Sequence, residues 1–138
     1  MPNEPLIEEQ LTESVIGAYY DVYNSLGFGF LEQVYTMALE LELRARGHAV
    51  SREVYVSVRY KDEELCKQRI DMIVDDRLLI ETKSTELLHK SALRQVYNYL
   101  RATRLEVGLL LHFGPEPAFY RQVQTHETAP RARKRPLG

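Results

Sequence analysis

The chain reads as an α+β fold: one mixed β-sheet core flanked by helices, in the order ααβββαββ. Three features of the sequence predict this. Apolar residues recur at helical spacing in two N-terminal segments and again between the third and fourth of five strand-like runs. Those five runs show either period-two alternation or continuous apolar character. Helices and strands are also grouped rather than regularly alternating, which argues against a doubly wound sheet. The single helix between the third and fourth strands can make a crossover that sets them parallel and adjacent, right-handed if so. The remaining neighbours are expected to be antiparallel.

Length and composition narrow the class. At 138 residues the chain suits one domain with one core. The formal net charge of −2 offers no overall basic field, which weighs against a protein that coats nucleic acid without specificity. It leaves room for an enzyme with a local basic rim. The lone cysteine, Cys66, excludes an intrachain disulfide, fits a reducing cytosol, and has no Cys or His spacing that would make a zinc site. The N-terminus is acidic and lacks the basic and apolar regions of a signal peptide. No apolar run is long enough to cross a bilayer. A cytoplasmic location is therefore expected.

Residues 1–7, with Pro2 and Pro5, are expected to be a loose tail ahead of a single domain over 8–123. From Glu8 to Leu26, Leu11, Val15, Ala18, Tyr19, Val22 and Leu26 form a helical stripe, and an acidic first turn suits the helix dipole. Gly27 to Phe30 break that helix. A second helix is expected from about Leu31 to Arg46, with Leu31, Val34, Tyr35, Ala38 and Leu39 inward and Gly47 ending it. A strand over about Ala49–Tyr60 alternates Val54, Val56, Val58 and Tyr60 with Tyr55, Ser57 and Arg59. A turn at Lys61 to Glu63 leads into strands at about Glu64–Val74 and Leu78–Lys83. A helix over about Lys90–Arg101 presents Leu93, Val96, Tyr97 and Leu100. A nearly pure apolar strand, Glu106–Phe113, reads as central and buried on both faces. Ala118–Val123 reads as an edge strand. Residues 124–138 are basic, with Arg131, Arg133, Lys134 and Arg135, and are expected to be disordered.

The chemistry concentrates in Ile70 to Lys83, IDMIVDDRLLIETK. Asp71, Glu81 and Lys83 stand inside runs apolar enough to be buried, and buried charges are costly unless paired or metal-bound. Glu81 and Lys83, two apart, share a face of a strand. Asp71 joins them if a three-residue loop, Asp75 to Arg77, pairs it opposite Glu81; a slip by one residue would send it to the other side. Two readings stand on these residues alone. Two carboxylates and a lysine suit a hard divalent cation beside a phosphate. They also suit a structural ion pair of Lys83 with Asp71 or Glu81.

These residues, in this order, resemble a known family. Asp71 and Glu81-Thr82-Lys83 across a hairpin, with a glutamate on a preceding helix, resemble the PD-(D/E)XK nuclease superfamily. Gly29-Phe30-Leu31-Glu32-Gln33-Val34-Tyr35 resembles the name motif of its GxxExxY branch. The resemblance extends through Arg69-Ile70, Gln95 to Leu100 and Gly108 to Gly114, and covers about Leu11 to Val123. Ile70 stands where a proline often precedes the aspartate. The resemblance implies a restriction-endonuclease-like fold and a Mg2+- or Mn2+-dependent phosphodiesterase acting on DNA or RNA. It implies that Asp71, Glu81 and Glu32 hold the metal, that Lys83 assists the attacking water or the scissile phosphate, and that Gln95 is the helix glutamine. It supplies no substrate sequence.

Phosphodiester hydrolysis needs an activated water and neutralisation of charge on the phosphorus centre, both of which a bound magnesium ion helps to provide. Magnesium prefers about six oxygens and keeps several waters. Two or three carboxylates and the Thr82 backbone carbonyl leave room for water and phosphate. Bland accounts run alongside. Glu32 sits in a first helical turn, where a carboxylate favours the dipole anyway. Gln95 reads equally as a helix-surface amide. Tyr35 lies on an apolar stripe and belongs to the core. Tyr97 and Tyr99 face different sides of one helix, so at most one can stack on a base. His89 and His112 read as structural. Arg69, Lys90, Arg94 and Arg101 form either a phosphate-binding rim or ordinary solvated faces. The alternative function is a catalytically silent nuclease-fold module that binds nucleic acid or protein. A homodimer that widens the substrate groove is a further possibility.

Overall fold

The computed structural model describes residues 6–126; residues 1–5 and the basic stretch 127–138 lie outside it. Helix α1, Glu9–Leu26, buries Leu11, Val15, Ala18, Tyr19 and Val22 on one stripe. Gly27, at φ 71°, ends it in a conformation that suits glycine, and its N–H caps the Tyr23 carbonyl. Helix α2 runs Glu32–Ala45. Strands β1 (Val50–Tyr60) and β2 (Glu63–Val74) form a long hairpin. β3 is Leu78–Lys83, α3 is Lys90–Thr103, β4 is Val107–Phe113 and β5 is Pro117–Val123. The order ααβββαββ is the one the sequence predicts.

The five strands lie in sequence order across one sheet. β3 and β4 are parallel, joined by α3, and every other neighbouring pair is antiparallel. β4 is buried along its whole length, as its apolar sequence requires. α1 and α2 cover one face, where Leu11, Tyr19, Tyr35, Leu39 and Leu43 pack on Met72, Val74, Leu78, Ile80 and Leu109. α3 covers the other, where Val96, Tyr99 and Leu100 pack on Ile70, Leu79 and Leu110. The Tyr35 ring stacks on Phe113 with centroids 4.1 Å apart, so this tyrosine is core.

Two local expectations are corrected. The β1–β2 turn is Lys61-Asp62 alone, both at positive φ (50° and 68°), and β2 already starts at Glu63. Two such residues match the right-handed twist of the flanking strands. The inward face of α2 is also rotated. Tyr35, Thr36, Leu39 and Leu43 are buried, whereas Leu31 is 79% and Val34 37% exposed. Leu31 precedes the first helical residue, and Thr36 points inward because it finds a hydroxyl partner on β3.

The hairpin between β2 and β3 has the expected three-residue loop, with Val74 opposite Leu78. Its ladder stops at Met72 opposite Ile80, one pair short of Asp71 and Glu81. The β1–β2 ladder also skips Asp71. Arg52 pairs with Met72 and Val54 with Ile70, with no pair between Glu53 and Asp71. Glu53 takes a left-handed φ of 54° there. Side-chain alternation changes phase at this double break. Met72 joins the α1–α2 core, while Ile70, only two residues earlier, joins the α3 core together with Val54 and Val56.

Candidate active site

Asp71 sits in that break, with neither neighbouring strand paired to it. Its backbone N–H donates instead to Glu81 Oε2 at 3.1 Å. Its own Oδ2 accepts from the Thr82 N–H at 2.8 Å and from Thr82 Oγ1 at 3.0 Å. The two carboxylates therefore substitute for ladder bonds where the strands part. Asp71 reaches along the gap toward β3 rather than standing opposite Glu81 on a regular pleat. The expected register holds, and the regular cross-strand pair does not form, because the double break removes it.

Glu81 is 7% exposed. Burial, and next the Asp71 charge, push its carboxyl up to about 8, while the Asp71 N–H and Lys83 pull the other way. Near neutrality, without a cation, Glu81 thus holds a proton. Lys83 lies two residues along the same strand face and is half-buried. None of the ion pairs among the described residues includes it. The direct Lys83 ion pair open to the sequence is therefore not formed.

Thr82 is fully buried, and its Oγ1 lies 2.8 Å from Thr36 Oγ1 of α2. Thr36 also lies 3.0 Å from the Glu32 carbonyl. A line of hydroxyls thus runs from α2 to Asp71. The Thr82 carbonyl shares the β2-facing side of β3 with its N–H, so it is aimed at the same gap.

Glu32 reaches the same end of β3 but has its own partner: Oε2 accepts the Ser84 N–H at 3.2 Å. Beside it, Ser84 Oγ donates to the Phe30 carbonyl at 2.7 Å. Tyr35, the last residue of the glycine-to-tyrosine motif, donates its hydroxyl to the Gly27 carbonyl and accepts from the Phe30 N–H. The motif therefore fastens the joint that aims Glu32. Among the described residues, no three His, Cys, Asp or Glu side chains converge on one metal position. The ready acidic pair is Asp71 and Glu81, with Glu32 held to the backbone nearby.

Gln95 makes no hydrogen bond to either carboxylate among the described residues; its Nε2 donates to Tyr99 Oη at 2.8 Å. The Tyr99 hydroxyl in turn donates to the Arg69 carbonyl at 3.3 Å. Burial first, and then the Glu81 charge, raise the Tyr99 pKa, which places its ring beside the acidic pair. Sequence reasoning singled out Gln95 and left Tyr99 as a stacking candidate. The signal was available as a glutamine and a tyrosine four apart on one helix face. Thr36 was missed too, being an ordinary threonine among apolar neighbours. His112 is buried and its Nε2 lies 2.8 Å from the Thr85 carbonyl, a structural contact that ties down the loop after Lys83.

The donor set suits a hard divalent ion. It consists of two carboxylates, one proton-retaining through burial and the charge of the other, and a carbonyl aimed at the same gap. This leaves coordination positions for water and phosphate, as magnesium favours.

A family model described as the PD-(D/E)XK nuclease superfamily matches residues 9–124. The crystal structure of SSO0001 matches with a TM-score of 0.54 at 21% identity, over 87% of this chain and 61% of that one. The chain thus spans about three fifths of that protein's length, and the likeness is one of fold. No curated protein matches the chain.

Proposed function

The chain belongs to the PD-(D/E)XK nuclease superfamily, and from that premise we propose that it is a nuclease of the GxxExxY branch that hydrolyses phosphodiester bonds in DNA or RNA with Mg2+ or Mn2+. One observation carries the reading. Asp71 and Glu81 are brought together where both ladders around Asp71 open, in surroundings that force a proton onto Glu81 when no cation is bound.

Asp71, Glu81 and the Thr82 carbonyl would hold the cation, with Glu32 as an additional or water-bridged ligand. The bound ion supplies charge neutralisation at phosphorus and a more acidic water. Thr82 fixes Asp71 through two hydrogen bonds to Oδ2. Lys83, with no carboxylate partner among the described residues, offers its ammonium to a phosphate oxygen or the attacking water. Gln95 and Tyr99 brace the Arg69 carbonyl two residues before Asp71, and so keep the break in shape. A binding module without cleavage is favoured by one detail, the engagement of Glu32 by Ser84.

Incubation of the purified chain with labelled single- and double-stranded DNA and RNA, in Mg2+, Mn2+ or chelator, separates the two. Cation-dependent cleavage that is lost in both Asp71→Asn and Lys83→Ala supports the nuclease. Cleavage equal in chelator, or unaffected by Asp71→Asn, overturns it. Binding with no cleavage under any condition favours the module.

A further inference from the structure

The helix that carries Gln95 and Tyr99 also has an outer face that the site does not use. From Lys90 to Thr103, α3 contains no aspartate or glutamate, although acids outnumber Lys and Arg 20 to 18 in the whole chain. Lys90, Arg94, Tyr97 and Arg101 follow one another at steps of four, three and four, which keeps them on one stripe about 16 Å long. All four are exposed, Tyr97 at 39%. The opposite face is the one buried on the sheet, through Val96, Tyr99 and Leu100.

The three cations have no carboxylate partner among the described residues, whereas Arg44, Arg69 and Arg77 each have one and Arg46 and Arg52 each have two. Arg101 suits the last turn of the helix, but the N-terminal half of the stripe does nothing for it. Lys90 is its first residue, where a cation opposes the dipole, and Lys90 and Arg94 repel at i,i+4. A polyanion would reverse both effects. Arg94 directly precedes Gln95, so a strand lying on this face passes one step around the helix from the residue that reaches toward the site. Tyr97 stands between Arg94 and Arg101, where a ring can take an unpaired base but has no access to a stacked one.

We propose that the Lys90–Arg94–Tyr97–Arg101 face of α3 is the track for a single strand of nucleic acid leading to the Asp71–Glu81 pair. The cations take its phosphates and Tyr97 takes a base. The proposal rests on the nucleic-acid substrate given above, and names the strand form and the surface.

The test uses the full chain carrying Asp71→Asn, to prevent cleavage, and fluorescence anisotropy with a labelled single strand and the matching duplex over a salt series. The parent is expected to prefer the single strand. Lys90→Gln/Arg94→Gln/Arg101→Gln should weaken binding at least about tenfold and lower the slope of log K against log salt by about two, at roughly 0.7 per lost phosphate contact. Tyr97→Ala should weaken single-strand binding about tenfold and leave duplex binding unchanged. Arg59→Gln/Lys61→Gln/Lys67→Gln, which removes equal charge from the β1–β2 hairpin, should change binding far less. The melting temperature of the α3 variant should not fall, since repulsion is relieved. An α3 variant that binds with the parent's affinity and slope, a hairpin variant that loses as much, or a parent that prefers duplex overturns the track. In those cases cation-dependent cleavage by the wild type leaves the nuclease reading standing. A parent that binds no nucleic acid overturns both.

Discussion

The β2–β3 hairpin has carboxylates at each of its ends, in contrasting surroundings. At the loop, Asp75 Oδ1 accepts the Ala49 N–H at 2.8 Å and Oδ2 lies 2.7 Å from His48 Nδ1. His48 Nε2 lies 2.7 Å from Ser14 Oγ, so one carboxylate links the hairpin to the α2–β1 connection and to α1. Burial would raise the Asp75 pKa, but the Ala49 N–H and the His48 ring outweigh it and hold the carboxyl below its ordinary value. At the open end, burial and Asp71 drive Glu81 up to about 8. The same two strands thus carry one carboxylate whose ionised form the fold rewards and one whose ionised form it penalises. Burial and the neighbouring charge make the difference: Glu81 is buried beside a second carboxylate, whereas Asp75 is partly exposed and has the Ala49 N–H and the His48 ring around it. A charge with donors around it stabilises the native state, and a buried carboxyl beside a second carboxylate resists ionisation.

The largest effect should come from removing the satisfied end. Asp75→Ala loses both contacts of the carboxylate and leaves the Ala49 N–H and His48 Nδ1 without their acceptor, for an expected loss of about 3 kcal/mol by urea unfolding. The loss should be the same with and without Mg2+. A change under about 1 kcal/mol would erase the contrast. The open end should respond to cations instead. Mg2+ or Mn2+ at a hundredfold excess over Kd should stabilise the wild type by about 2.7 kcal/mol. Asp71→Asn should abolish that gain, abolish cleavage, and melt higher than the wild type in chelator. If Asp71→Asn melts lower in chelator and the wild type ignores both cations, the acids are structural.

The two ends should also show opposite pH dependence in chelator. Glu81 binds its proton more tightly folded than unfolded, so its contribution is complete below its ordinary pKa of 4.5 and is lost as pH rises toward about 8. Asp75 does the reverse: its contribution is present above its ordinary value of 3.8 and is lost as pH falls through the lowered folded value. Stability measured against pH should therefore fall on both sides of a maximum, with the alkaline limb at most about 1.4 kcal/mol per pH unit. Glu81→Gln should flatten the alkaline limb alone. An unchanged alkaline limb in Glu81→Gln would assign the proton elsewhere. The smallest effect belongs to Thr36→Val, which removes one hydroxyl from the line to Asp71 at nearly constant volume. It should cost about 1 kcal/mol in urea unfolding and lower cleavage a few-fold with the cation response retained. Unaltered cleavage would separate that line from the site.

Much of the satisfied architecture was legible in the sequence. The element order, the parallel β3–β4 pair and the loop at Asp75 to Arg77 follow from periodicity and short connections. The closeness of Asp71 and Glu81 was also legible, because charges inside apolar strands stand out against a simple expectation. The double break was not. Counting by twos assumes an unbroken pleat, and a glutamate at Glu53 gives no hint of a left-handed backbone. The inward face of α2 was misjudged because it has apolar residues on both sides, and a buried Thr36 is explained only by a hydroxyl on another strand. Glu32 was expected beside the carboxylates, and its bond to the Ser84 N–H depends on how the joint before α2 is tied down, which no local pattern encodes.

The paired break at Glu53 and Asp71 also constrains how this sequence can change in length. Beyond it, Val54 and Val56 face α3 while Tyr55 faces solvent, an assignment that exists only because both strands skip a pair at the same level. Deleting one residue from β1 alone immediately after the break would exchange those sets and set Tyr55 and Ser57 against α3. A matching deletion in β2 would restore the phase. From the break to the Val58–Cys66 pair, length changes should therefore be tolerated only in pairs, one on each strand, whereas the turn end, which already carries an extra residue in β2 between Cys66 and Glu64, is free to lengthen on its own.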